Sequence, residues 1–243
     1  MELSEINSIP AINFDQILDK TQRYSQRIGF DYLSITQRGN VTPRTRECLL
    51  DIIHEQCILK NSSSIAEQLS IHYLDLILSQ KYFPPGGILK LVALTCASLA
   101  LKFEDSREIT IEELFDLTDK RFSLKNIQTI EMFILSAFDW ELDLVTPEEI
   151  IRNLLKSQFK SADAEEIVIK SREFVDLALR DYEICRNSAM FIGIAALLCC
   201  FKSMGKTRST EKWLENILGT YEEEIAVKNL KKGIWAKFNS NKN

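Results

Sequence analysis

Four charged side chains stand where helical spacing calls for apolar ones, and these are the residues whose chemistry needs explaining. Glu131 falls on or beside the face marked by Ile127, Ile130, Ile134 and Phe138. Lys102 closes a strongly apolar run, with Leu91, Leu94, Thr95 and Ser98 beneath it at helical spacing. Its stem can pack there while the ammonium emerges at the rim. Arg46 lies beside Cys48 and Leu49, and Asp75 sits in His72-Tyr73-Leu74-Asp75-Leu76-Ile77-Leu78. A charge in apolar surroundings must be paired. Arg46 and Asp75 fall on neighbouring helices and are expected to form an internal ion pair. Lys102 and Glu131 have no partner of opposite sign on their own apolar faces, so both are expected to serve binding.

Patterns that would mark a catalyst are missing. There is no Gly-rich phosphate loop, nucleophile elbow or His-Glu-x-x-His metal motif. His54 and His72 are single residues within predicted helices, and Gly86-Gly87 after Pro84-Pro85 reads as a turn before a helix. The six cysteines are scattered, with no C-x-x-C pair, which points to free thiols in a reducing compartment, nuclear or cytoplasmic. No enzyme activity, metal or cofactor is expected.

The elements that must position these charges are helices. Thr42-Pro43 offers an N-cap with proline at the first helical position. Ser64-Ile65-Ala66-Glu67, Thr110-Ile111-Glu112-Glu113 and Thr146-Pro147-Glu148-Glu149 fit the capping box, and Asp163 to Glu166 and Thr220 to Glu223 are similar. In register with apolar periodicity, these signals predict helices near 43–60, 64–79, 87–103, 110–117 and 124–139. A second set follows near 147–158, 164–180, 187–203, 210–218 and 221–236, and an amphipathic segment near 13–27 precedes both.

Each half has five helices with one nearly all-apolar member, Ile88 to Leu101 and Ala189 to Phe201. Both are shorter than the roughly 18 residues of a membrane span, so they read as central core helices. A shift of 99 residues superposes Ala97 and Leu99 on Ala196 and Leu198. An apolar helix is buried only if others wrap around it. The expected fold is therefore all-α: an N-terminal segment with a short helix (1–42) and two tandem five-helix domains (43–145 and 146–238). The net charge of −5 argues against a dedicated nucleic-acid binder. Neither a membrane association nor an obligate homo-oligomer is expected.

Arg46, Asp75, Leu91, Lys102 and Glu131 occur in the order, and in the helices, that characterise the cyclin box. With Ala100-Leu101-Lys102-Phe103-Glu104-Asp105 and Asp139-Trp140-Glu141-Leu142, residues 43 to 145 resemble the cyclin family, somewhat in the manner of its D or B types. The second half resembles a cyclin fold in helix order. The resemblance implies a non-catalytic subunit that binds and activates a cyclin-dependent kinase in cell-cycle control. Lys102 and Glu131 would then hold the backbone of the kinase's regulatory helix, while Phe103, Leu135, Trp140 and Leu142 supply apolar contact. Leu91 would belong to the core of the box.

Kinase substrates or inhibitors would be further partners. The family's substrate-docking patch is altered here. Leu49 and Glu55 are kept and Leu89 lies beside them, but Ile52 stands where tryptophan is usual and Lys90 replaces a glutamine. Weak or changed Arg-x-Leu docking is the expectation. The alternative reading is a cyclin-fold scaffold, or a transcription-factor-like adaptor, that activates no kinase.

Overall fold

The computed structural model describes residues 14–84, 86–156, 161–205 and 221–241, and all regular structure among them is helical. The chain divides into two units, residues 26–144 and residues 1–25 with 145–243. Helix α1 (Phe14–Ile28) comes first. The helix expected near 210–218 and the start signal at Thr220 lie outside the described residues.

The first unit holds α2 (Tyr32–Ile35), α3 (Pro43–Leu59), α4 (Ser64–Gln80), α5 (Ile88–Glu104), α6 (Ile111–Leu117) and α7 (Leu124–Ala137). Helix α5 is its axis: every residue from Leu91 to Leu101 is buried, and α3, α4, α6 and α7 pack on it. The polar residues within this helix are satisfied locally. Thr95 donates to the Leu91 carbonyl at 2.8 Å and Ser98 to the Ile109 carbonyl at 3.0 Å. Such bonds let an all-apolar surround tolerate hydroxyls.

Caps set the helix starts. Thr42 accepts from the Thr45 N–H, and Thr110 and Glu113 form the reciprocal box before α6. Helix α4 starts where expected, but its cap is one residue earlier: Ser63, not Ser64, accepts from the Ala66 N–H at 3.1 Å. Asp105 selects that serine by accepting its N–H at 2.7 Å, tying the start of α4 to the end of α5. Before α7, Ser123 and Asn126 make a box that the serine–carboxylate pattern does not reveal.

Between α3 and α4 lies the buried ion pair. Arg46 Nε donates to Asp75 Oδ1 and Nη2 to Oδ2, both at 2.7 Å, and each residue is 1% exposed. The Tyr32 hydroxyl donates to Oδ1 at 2.7 Å, which brings α2 into the same network. The next residues of that segment close the far end of α4. Thr36 donates to the Ser79 carbonyl, and the Gln37 amide reaches the carbonyls of Leu78 and Lys81. Residues 31–37 thus supply partners for last-turn carbonyls that a helix cannot satisfy itself.

The second unit contains α8 (Pro147–Lys156), α9 (Ser161–Arg180), α10 (Tyr182–Cys185), α11 (Ala189–Ser203) and α12 (Tyr221–Ser240). Its axis is α11, packed against α8, α9 and α12. Gly193 permits that packing, since a Cβ there would stand 2.8 Å from the Pro147 carbonyl oxygen. Thr146 and Glu149 form the expected reciprocal cap. Asp163 does not start α9, which begins at Ser161. It lies in the first turn instead, where its charge suits the positive end of the helix dipole. The one-turn helices α2 and α10 are too short to show periodicity, and Asp31 and Asp181 cap them.

This unit has its own buried charge. Glu148 is 1% exposed and receives Arg152 Nε at 3.0 Å and Arg172 Nε and Nη2 at 3.0 and 2.9 Å. A glutamate in a first helical turn reads as solvated, so the local pattern does not reveal its burial. It joins α8 to α9 as Arg46 and Asp75 join α3 to α4, with the signs exchanged.

Two outcomes follow for stability. Asp75→Ala leaves Arg46 buried without its carboxylate and should lower unfolding free energy by about 3–5 kcal/mol in urea titration. A loss under about 1 kcal/mol would contradict the pairing's importance. Burial also lowers the His72 imidazole to about 4 from its usual 6.5, with Asp75 raising it and Arg46 lowering it further. The unfolded chain then binds the extra proton first as pH falls. His72 contributes fully above about pH 6.5, and its contribution declines towards pH 4 by about 3 kcal/mol at most. Urea midpoints across that window should fall less steeply for His72→Gln than for the native chain.

Candidate functional site

Lys102 and Glu131 come from different helices and meet. Lys102 is in the last turn of α5, where a cation suits the helix dipole. Its Nζ donates to Glu131 Oε1 of α7 at 2.7 Å. The partner that neither residue has on its own face is supplied across the two helices. A third charge joins them from the α5–α6 loop, with Glu108 Oε2 at 3.6 Å from the same ammonium. Nothing in the periodicity around Glu108 reveals it.

Exposure separates this group from the buried Arg46–Asp75 pair. Lys102, Glu131 and Glu108 keep 38%, 25% and 54% of their side-chain surface. A pair this wet contributes roughly 0–1 kcal/mol to stability. Arg46 and Asp75, by contrast, are sealed in the fold.

Apolar side chains on these two helices and on the loop after α7 divide by burial. Phe103, next to Lys102, is 47% exposed, and Trp140, just past α7, is 61% exposed. Leu142 is half-buried, and Leu135 is nearly buried at 8%. Met132, beside Glu131, is 51% exposed and was not singled out from the sequence, because it lies off the apolar stripe of α7. Leu91 is wholly buried in α5.

The second candidate patch is less open. Leu49 of α3 and Leu89 of α5 are buried, Ile52 is half-buried and Glu55 is exposed. Lys90 Nζ stands 4.0 Å from Asp119 Oδ2, at the turn after α6. Among the described residues no cluster of three or more His, Cys, Asp or Glu could hold a metal ion. No helix among them is long and apolar enough to cross a membrane. The cysteines are free thiols, and burial pushes Cys57 up to about 11 and Cys199 to about 12.

The geometry coincides with a family pattern: residues 15–143 match the model described as the cyclin N-terminal domain. This chain belongs to the cyclin family. Its relatives include Cyclin-D1-1 of Arabidopsis thaliana, 30% identical over 154 residues, which are 61% of this chain and 44% of that protein. Cyclin-B2-2 of the same plant is 25% identical over 79% of this cyclin and 44% of its own length. G1/S-specific cyclin-D1 of Xenopus laevis is 24% identical over 71% of this cyclin and 59% of its own. The chain thus spans about half the length of the curated relatives it matches.

The fold match reaches further than the family model. The X-ray structure of a viral cyclin from herpesvirus saimiri superposes with a TM-score of 0.70 at 18% identity, covering 90% of this cyclin and 96% of that chain. At that identity the likeness concerns the fold. It extends the cyclin architecture past residue 143, where the sequence resemblance had rested on helix order.

Proposed function

We propose that this cyclin is a non-catalytic subunit that binds and activates a cyclin-dependent serine/threonine kinase in cell-cycle control. The observation that carries this reading is the exposed Lys102–Glu131 pair. Two helices bring these side chains within 2.7 Å, at a surface where the pair does little for the fold. Its charges can instead meet the backbone groups of a docked helix. Exposed Phe103 and Trp140 add apolar area that docking would cover. Apolar burial then favours association, and the two charges fix register and orientation.

Activation follows from preference rather than chemistry. A kinase is active when its regulatory helix swings in and a glutamate on that helix pairs with the ATP-positioning lysine. A cyclin that binds this arrangement better than the inactive one shifts the population towards it. Tenfold tighter binding of the active state corresponds to about 1.4 kcal/mol. The Leu49–Ile52–Glu55 patch, with Leu89 and Lys90, supports weak Arg-x-Leu docking at best, since both of its leucines are already buried.

The test is an affinity pull-down from the source cell, with the native chain beside a Lys102→Ala/Glu131→Ala double variant. Unfolding free energies of the two from urea titration should agree within about 1 kcal/mol, because the pair is exposed. The native chain should retain a kinase that phosphorylates histone, and the double variant should lose it by at least tenfold. Equal capture by both would remove the role assigned to the two charges. Capture by neither would favour a cyclin-fold scaffold or adaptor that binds no kinase.

A further inference from the structure

The loop that carries Trp140 is held at two points, by the end of α7 and by a side chain of α4. Helix α7 ends with the Asp139 N–H on the Ser136 carbonyl at 3.3 Å and the Trp140 N–H on the Leu135 carbonyl at 3.0 Å. This is the paired closure of a Schellman motif, usually built on glycine. Here Asp139 and Trp140 take up the left-handed backbone, with φ of 53° and 63°. Bulky L residues seldom adopt that region. A glycine would enter the turn freely, yet an exposed tryptophan stands there. A residue kept in a strained position is a pointer to function.

The core reaches out to this loop through one side chain. Tyr73 lies mid-way along α4 with none of its surface exposed, and its ring stands 5.7 Å from that of Phe138. Its hydroxyl donates to the Leu142 carbonyl at 2.6 Å. The same carbonyl receives the Leu144 N–H at 2.8 Å, and the Glu141 N–H closes on the Phe138 carbonyl at 3.0 Å. The loop is therefore anchored at its α7 end by the helix cap and at Leu142 by a phenol rooted in the buried helix. Trp140 projects between the two anchors.

We infer that Tyr73 is a positioning residue for kinase docking, its hydroxyl holding the Asp139–Leu142 loop so that the Trp140 ring stands ready on the binding surface. The inference rests on the kinase-binding reading above. Tyr73 touches no partner; it acts through Leu142 and the loop. Preformed loops bind more tightly because less ordering remains to be done on association.

Tyr73→Phe keeps the ring packing and removes only the anchor. In the free chain, amide exchange of Trp140, Glu141 and Leu144 should rise at least tenfold, while the amides of α5 keep their native rates. With the kinase captured by the native chain as probe, Tyr73→Phe should weaken binding three- to tenfold. Combined with Trp140→Ala, it should add less than twofold to the loss that Trp140→Ala causes alone. A general loss of packing would instead speed exchange in α4 and α5 and add its effect independently of Trp140.

The inference is overturned by native exchange rates in the loop of Tyr73→Phe, or by effects of Tyr73→Phe and Trp140→Ala that multiply. Native affinity in Trp140→Ala would overturn it as well, by removing Trp140 from the binding surface. Absence of any captured kinase would count against the kinase-binding reading, while the exchange comparison still decides whether Tyr73 holds the loop.

Discussion

A guanidinium with 1% of its surface exposed can be kept in a protein interior only by a carboxylate that meets it in good geometry. Arg46 and Asp75 provide that geometry, and much of the first unit is arranged by it. The bidentate bond fixes α3 against α4 in one register, which a sliding apolar contact between them would not do. Tyr32 bonds to the same carboxylate, so the segment before α3 is drawn in and can close the C-terminal end of α4 through Thr36 and Gln37. Helix α4 then packs along α5, which carries Lys102, and supplies Tyr73, which holds the loop beyond α7. The surface proposed to dock a kinase thus stands on helices whose relative position a single buried pair helps to set.

Ion pairs of different burial do different work in this chain. Arg46–Asp75 is interior on both sides, while in Glu148–Arg172 only the carboxylate is sealed; the first ties α3 to α4 and the second α8 to α9, with the charges exchanged. The repeat therefore preserves a physical solution rather than residue identities. Lys102–Glu131 has comparable length but lies in water, where it stabilises the fold little and leaves hydrogen-bonding capacity for a partner. Distance alone would not separate these pairs. Burial of the carboxylate does: Asp75 and Glu148 are sealed and Glu131 is not.

Much of this was legible in the sequence because the physics is local. Apolar periodicity and N-cap chemistry placed the long helices, and Ile88 to Leu101 could only be a core helix once its neighbours were amphipathic. The charges at 46, 75, 102 and 131 were conspicuous because each broke an apolar pattern. Glu148 broke none, since an acidic residue in a first turn is ordinary, and its burial depends on where α9 places Arg172. Ser63 and Ser64 are equal candidates locally, and the choice between them belongs to Asp105, 42 residues away. The pairing of Lys102 with Glu131, the approach of Glu108 and the anchoring of the Trp140 loop by Tyr73 all depend on tertiary placement that no spacing encodes.

Kinase activity at controlled stoichiometry decides most directly whether this cyclin switches a kinase on. The kinase recovered with this cyclin would be purified free of it, and phosphate transfer to histone followed as purified chain is added. Activity should rise at least tenfold and saturate at one chain per kinase, with no transfer by the chain alone. Saturable binding with no change in activity would contradict activation, and would leave a cyclin fold that docks a kinase without switching it on.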